Sequence, residues 1–138
     1  MGDDYCSAAG KHLDDARLLL DSHRFDNSAY LSGYVVECAL KLAVQLGGRR
    51  AKQYGHDLSR LVGPGLRLAC QLSPSLRRYP VPSSPAVNDV CGRWHPALRY
   101  QKKGTIAPQE AERWWAGADQ VYRAIVVRFV LDGTRVAV

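Results

Sequence analysis

Asn27-Ser28-Ala29-Tyr30-Leu31-Ser32-Gly33-Tyr34-Val35-Val36-Glu37-Cys38-Ala39-Leu40-Lys41-Leu42-Ala43-Val44-Gln45-Leu46 is apolar almost all the way round and holds two charges, Glu37 and Lys41. A helix with so little polar surface is central in a bundle or lies in a subunit interface. Asp26 and Asn27 are good N-caps, and Gly47-Gly48 is a strong stop signal. Gly33 in the interior costs about 1 kcal/mol against alanine, which suggests that another helix approaches closely there. Glu37 and Lys41 are four apart and share a face. Either they form a partly exposed pair, or they belong to a buried polar cluster. The second case requires a further partner, because a buried charge is costly unless it is satisfied.

Working outward, Ala9, Leu13, Ala16 and Leu20 make an apolar stripe that predicts a first helix over 4–22, followed by a turn at His23-Arg24-Phe25. Arg49 to Gly55 reads as a basic loop. Asp57 is placed to cap a third helix through Leu58, Leu61 and Val62, which Gly63-Pro64-Gly65 should interrupt before Leu66 to Leu72. Residues 73–106 contain five prolines, with serines and arginines between them. They read as an irregular insert with room for a short helix near Ala86 to Cys91. Pro108 opens a last helix with Glu110 and Glu112 near its positive end. Ala111, Trp114, Ala118, Val121, Ile125 and Phe129 mark its buried face, and Asp132-Gly133 its end. Only the tail Thr134 to Val138 resembles a strand. The expected fold is all-α: one domain over 1–138, core 8–131, an antiparallel bundle of about four main helices with a long Pro/Arg-rich connection before the last.

The net charge of +6 is unevenly distributed. Residues 1–48 carry 4 basic and 7 acidic side chains, residues 49–103 carry 11 and 2, and residues 104–138 carry 4 of each. A basic middle on an acidic-to-neutral frame is expected of a surface that contacts RNA or a nucleotide, or of plain arginine-rich solvation. No run reaches the length of a membrane span. Cys6, Cys38, Cys70 and Cys91 contain no C-x-x-C pair, which argues against a structural zinc site and for a reduced, cytoplasmic chain. Gly-rich phosphate loops, metal motifs and G-x-S-x-G elbows are missing, so no cofactor and no metal are expected.

The candidate partner for Glu37 lies in Trp94-His95-Pro96-Ala97-Leu98-Arg99-Tyr100. Arg99 can form a bidentate contact to a carboxylate, giving a buried cluster of Tyr34, Glu37, Lys41 and Arg99. Facing outward instead, it would sit between Trp94 and Tyr100 as stacking surfaces for bases. The remaining candidates for RNA or nucleotide contact are Arg49, Arg50, Lys52, Arg93, Lys102 and Lys103. His56, Arg50 and His95 are candidates for acid–base chemistry on RNA, where a histidine moves a proton and an arginine stabilises the phosphorane. A turn or capping role is the simpler reading of His56.

Ala16-Arg17-Leu18-Leu19-Leu20, Asp26 through Lys41, His56-Asp57-Leu58-Ser59-Arg60-Leu61 and Leu98-Arg99-Tyr100 together resemble the HEPN domain family over roughly residues 8–131. The resemblance implies a helical bundle that often dimerises and is tied to RNA. Many members are metal-independent ribonucleases of toxin–antitoxin or antiviral systems, and others are non-catalytic partners of nucleotidyltransferases. Active members carry an arginine followed, after a short spacer, by a histidine near the last core helix. Here Pro108 to Leu131 contains no histidine. The formal matches are Arg50 to His56 and Arg49 to His56, both before the third helix. The expectation is therefore a dimeric binding module of a defence system, beside a nucleotidyltransferase-type antitoxin partner. The alternatives are an endoribonuclease toxin and a scaffold subunit docked on a protein.

Overall fold

A computed structural model describes residues 4–48 and 50–136, and every regular element among them is helical. Helix α1 (Tyr5–Asp21) begins where the Asp4 carboxylate accepts the Ser7 N–H. Its buried residues are Tyr5 and the four members of the expected stripe, Ala9, Leu13, Ala16 and Leu20. The chain reverses through Ser22 to Arg24, with His23 in the left-handed region at φ 60° and the Arg24 N–H on the Leu19 carbonyl at 2.8 Å.

Helix α2 (Phe25–Leu46) is the central rod, with 14 of its 22 residues buried. The apolar surface that could have served a subunit interface is consumed inside the bundle. Ser28 is fully buried and donates to the Ala16 carbonyl at 2.8 Å, so its hydroxyl is satisfied across the α1–α2 contact. The start differs from expectation. Arg24, not Asp26 or Asn27, occupies the cap position, because the Asp26 carboxylate is used elsewhere. It accepts the backbone N–H groups of Gly104 at 2.7 Å and Ile106 at 2.9 Å.

After a tight 3₁₀ turn (Ala51–Tyr54), α3 runs through Leu58–Arg60, a π-helical turn Leu61–Gly65 and Leu66–Leu72. Asp57 caps it as expected, accepting the Arg60 N–H at 3.2 Å. Gly63-Pro64-Gly65 does not interrupt the helix. Pro64 lacks the N–H that an α-turn needs, and the wider turn absorbs the loss without stopping the chain.

Residues 73–106 hold the short helix expected near Ala86 to Cys91, and two 3₁₀ turns that were not expected. They form a 3₁₀ turn (Pro74–Arg78), helix α4 (Pro85–Arg93) and a second 3₁₀ turn (Pro96–Tyr100). Pro74, Pro85 and Pro96 each open one of these elements, where a missing N–H costs nothing. Val87, Val90 and Trp94 are buried. The start of α4 packs so closely on the last helix that a Cβ on Gly117 would lie 2.8 Å from the Ala86 carbonyl oxygen.

Helix α5 (Pro108–Tyr122) continues through a π-helical turn (Arg123–Val127) into Arg128–Val136. The wide turn shifts the buried stripe by one residue, so that Ile125 and Val126 are both buried and Phe129 is partly so. The helix passes Gly133, its expected end, and the tail read as a possible strand is helical to Val136. Ala137 and Val138 lie outside the described residues. Tyr79 donates to the Asp132 carboxylate at 2.7 Å, which ties this last stretch to the segment before α4.

Candidate functional site

The charges of α2 point into the molecule. The side chains of Glu37 and Lys41 are 6% and 8% exposed, and the Lys41 ammonium lies 3.4 Å from Glu37 Oε2. The third member of the cluster is His56, not the expected Arg99: its Nδ1 is 2.7 Å from Glu37 Oε1. The Arg99 guanidinium instead lies 6.0 Å from the centre of the Tyr30 ring. His56 reaches Glu37 because the turn Ala51–Tyr54 returns the chain to α2 just before Asp57 starts α3.

Aromatic groups complete the surroundings. The Lys41 ammonium sits 5.9 Å over the Tyr5 ring. Tyr34 meets Tyr30, Trp94 and His56 edge-on at 5.1, 4.9 and 5.9 Å, and His12 at 5.9 Å. Burial, then the hydrogen bond shared with Tyr30, then the negative charge of Tyr30 and Glu37 hold the Tyr34 phenol well above its usual range. Burial and then Lys11 lower the His12 imidazole below its usual value. His12 therefore favours its neutral form.

A carboxylate only accepts, so His56 donates through Nδ1 and its neutral form leaves Nε2 as a base. The ring is 55% exposed while Glu37 is buried. His56 lines one groove with Cys91, Trp94, His95 and Pro96. His95 Nδ1 accepts the Ala97 N–H at 3.1 Å, so a neutral His95 carries its proton on Nε2. Burial pushes the Cys91 thiol up to about 11, which keeps it protonated at neutral pH.

The expected RNA contacts separate into two sets. Trp94 belongs to the fold, which corrects its assignment, and Arg93 stays half-exposed while its guanidinium is held in ion pairs. Arg93 binds both Asp89 oxygens at 3.3 and 3.4 Å, pairs with Glu110 at 2.5 Å and lies 5.7 Å over Trp114. Trp94 is 5% exposed and donates to the Tyr30 carbonyl at 3.0 Å. Its indole occupies the space over Gly33, where a Cβ would come within 2.0 Å of the ring. Gly33 thus admits a side chain, rather than the helix backbone expected there. Tyr100 is 84% exposed, and Arg99, Lys102 and Lys103 are exposed beside it. Arg50 and Lys52 are exposed at the 51–54 turn, and Arg49 lies outside the described residues.

Sequence reasoning missed Tyr5, His12, Tyr30 and Arg24. His12 was within reach, since it lies three residues after Ala9 and at the edge of the buried stripe. Among the described residues no group of three or more His, Cys, Asp or Glu could hold a metal ion, and no helix is long and apolar enough to cross a membrane.

A central helix carrying an inward acid–base pair, wrapped by the other helices among the described residues, defines a small all-helical module. The family model of the HEPN domain matches residues 3–128, and the chain belongs to that family of nucleotide- and RNA-associated helical modules. Neither the curated proteins nor the solved structures yielded a match.

Proposed function

We propose that this HEPN module binds RNA or a nucleotide through the exposed run Arg99-Tyr100-Gln101-Lys102-Lys103, as a homodimer in a toxin–antitoxin or antiviral system with a nucleotidyltransferase-type partner. The observation that carries the reading is Tyr100, a large aromatic left 84% exposed among three exposed cations. A ring in that setting can stack on a base while its neighbours meet phosphates. Fluorescence anisotropy with a labelled single-stranded RNA tests it. Affinity should fall steeply with salt, and replacing Arg99, Lys102 and Lys103 together by alanine should flatten the salt slope by about two to three units. Binding that is indifferent to salt would refute the reading. Val127, Val130 and Leu131 are exposed and three and four apart on the last helix, which supports the dimer. Light scattering should report a dimer that Leu131→Glu reduces to monomer.

A second reading, a metal-independent endoribonuclease, draws support from the His56–Glu37 pair. A buried carboxylate orienting an exposed histidine suits a general base, and His95 across the same groove presents an N–H that suits an acid. Cleavage of an RNA ladder that is lost in both His56→Ala and His95→Ala would favour this reading. Cleavage that persists in both would remove these residues from it.

A further inference from the structure

The turn between α1 and α2 faces the two ends of the 98–106 segment across a cavity of about 370 Å³. Among the described residues three cations line it: Arg24 from the turn, Arg99 from the second 3₁₀ turn, and Lys103 from the loop before α5. One carboxylate, Asp26, lines it too, and its two oxygens are engaged by the Gly104 and Ile106 N–H groups. That double contact holds the loop against α2, with Gly104 at φ 91°, a conformation that side chains rarely tolerate. The loop is closed further by the Thr105 N–H on the Lys102 carbonyl at 3.2 Å. The backbone on either side of Lys103 is therefore held by the fold. Phe25, Leu98 and Ile106 supply apolar wall, and His23 stacks on Phe25 at 5.6 Å with 17° between the planes.

We propose that this cavity takes a phosphomonoester attached to a nucleoside, either a free nucleotide or the phosphorylated end of a strand. This deepens the reading above and rests on it. Charge matching favours the monoester. The three cations less Asp26 leave an excess of two positive charges, and a phosphomonoester carries about −1.5 to −2 at neutral pH, against a single charge on each internal diester. Geometry points the same way. Residues 23–27 wall one side of the cavity, and Leu98, Arg99, Gln101, Lys103, Gly104 and Ile106 the other, and a chain end enters such a space more readily than a backbone that must continue on both sides. Arg24 and Arg99 present planar forks to phosphate oxygens. The base would lie on the Phe25–His23 stack.

Calorimetry on the full chain compares 5′-AMP with adenosine, and a short RNA carrying a 5′-phosphate with the same RNA ending in a hydroxyl. The phosphorylated member of at least one pair should bind roughly tenfold tighter or more, the effect expected of charge-assisted hydrogen bonds. Arg24→Ala and Lys103→Ala should each abolish most of that preference without changing the melting temperature. A preference in the AMP pair assigns the site to free nucleotide, and one confined to the RNA pair assigns it to strand ends. No preference in either pair, or one that survives both substitutions, overturns the proposal. If both RNAs bind equally and salt-sensitively while AMP does not bind, the cavity assignment fails and the surface reading stands. If AMP binds through Arg24 but neither RNA binds, the surface reading fails and the cavity stands.

Discussion

Arg93-Trp94 and Arg99-Tyr100 are the same pair of residue types, a few positions apart, with opposite fates. Trp94 is 5% exposed and Tyr100 84%. Arg93 spends its guanidinium on Asp89 and Glu110, while Arg99 lies at the surface beside the Tyr30 ring. An arginine beside an aromatic ring can thus offer a stacking surface only where the tertiary structure leaves the ring outside. Here Gly33 decides, by providing the space that draws the first ring in.

The largest effect should come from emptying or blocking that space. Trp94→Ala should cost about 3–5 kcal/mol of stability, as deletion of a buried aromatic does. Gly33→Ala should cost about 1–3 kcal/mol by forcing its Cβ against the indole. Urea denaturation measures both. If Trp94→Ala melts like the parent while RNA affinity drops, the contrast between the two pairs collapses.

Next comes the buried pair. Lys41→Ala removes the buried cation from Glu37 and leaves the half-exposed His56 beside it, and should cost about 3–5 kcal/mol. The double change Glu37→Leu with Lys41→Met should recover most of that loss, because it also removes the need to desolvate charge. His56→Ala should stay near or below about 1 kcal/mol, since the ring is more than half in water.

Tyr100→Ala sharpens the comparison from the other side. Stability should change by less than about 0.5 kcal/mol, and RNA affinity should weaken by about 1–3 kcal/mol if a base stacks there. Anisotropy and thermal melts on one preparation give both numbers.

The smallest effects are in pH. The folded state lowers the His12 pKa, so the unfolded chain binds the proton more readily. Stability should therefore decline as pH falls below about 6.5, and His12→Gln should flatten that limb. Burial alone would raise the Asp89 carboxyl, but hydrogen bonds from Trp114 and Arg93 and the charges of Arg93 and Arg113 hold it below its usual value. Asp57 is lowered mainly by Ser59 and the Arg60 N–H. Their contribution is present above about pH 4 and is lost as pH falls further. Denaturant midpoints across a pH series separate the two windows.

Much of the helical frame was legible. The stripes of α1 and α5 and the cap at Asp57 are periodic or adjacent features, and local spacing reports them well. Within 73–106 the short helix was legible, but the two 3₁₀ turns were not, because prolines resemble breakers even where they sit at the first turn of a short helical element. The identity of Glu37's partner was out of reach. Arg99 and His56 are both chemically suited to a carboxylate, and only the path of the 51–57 turn selects between them.

The sequence alone therefore determined that this is a helical bundle strung on one apolar rod that carries an acid and a base on one face, because hydrophobic periodicity is written residue by residue. Which histidine reaches that acid, which aromatic is swallowed, and which cations gather at Arg24 were decided only by tertiary packing. Those outcomes depend on contacts between segments distant along the chain, and short-range spacing carries no record of them.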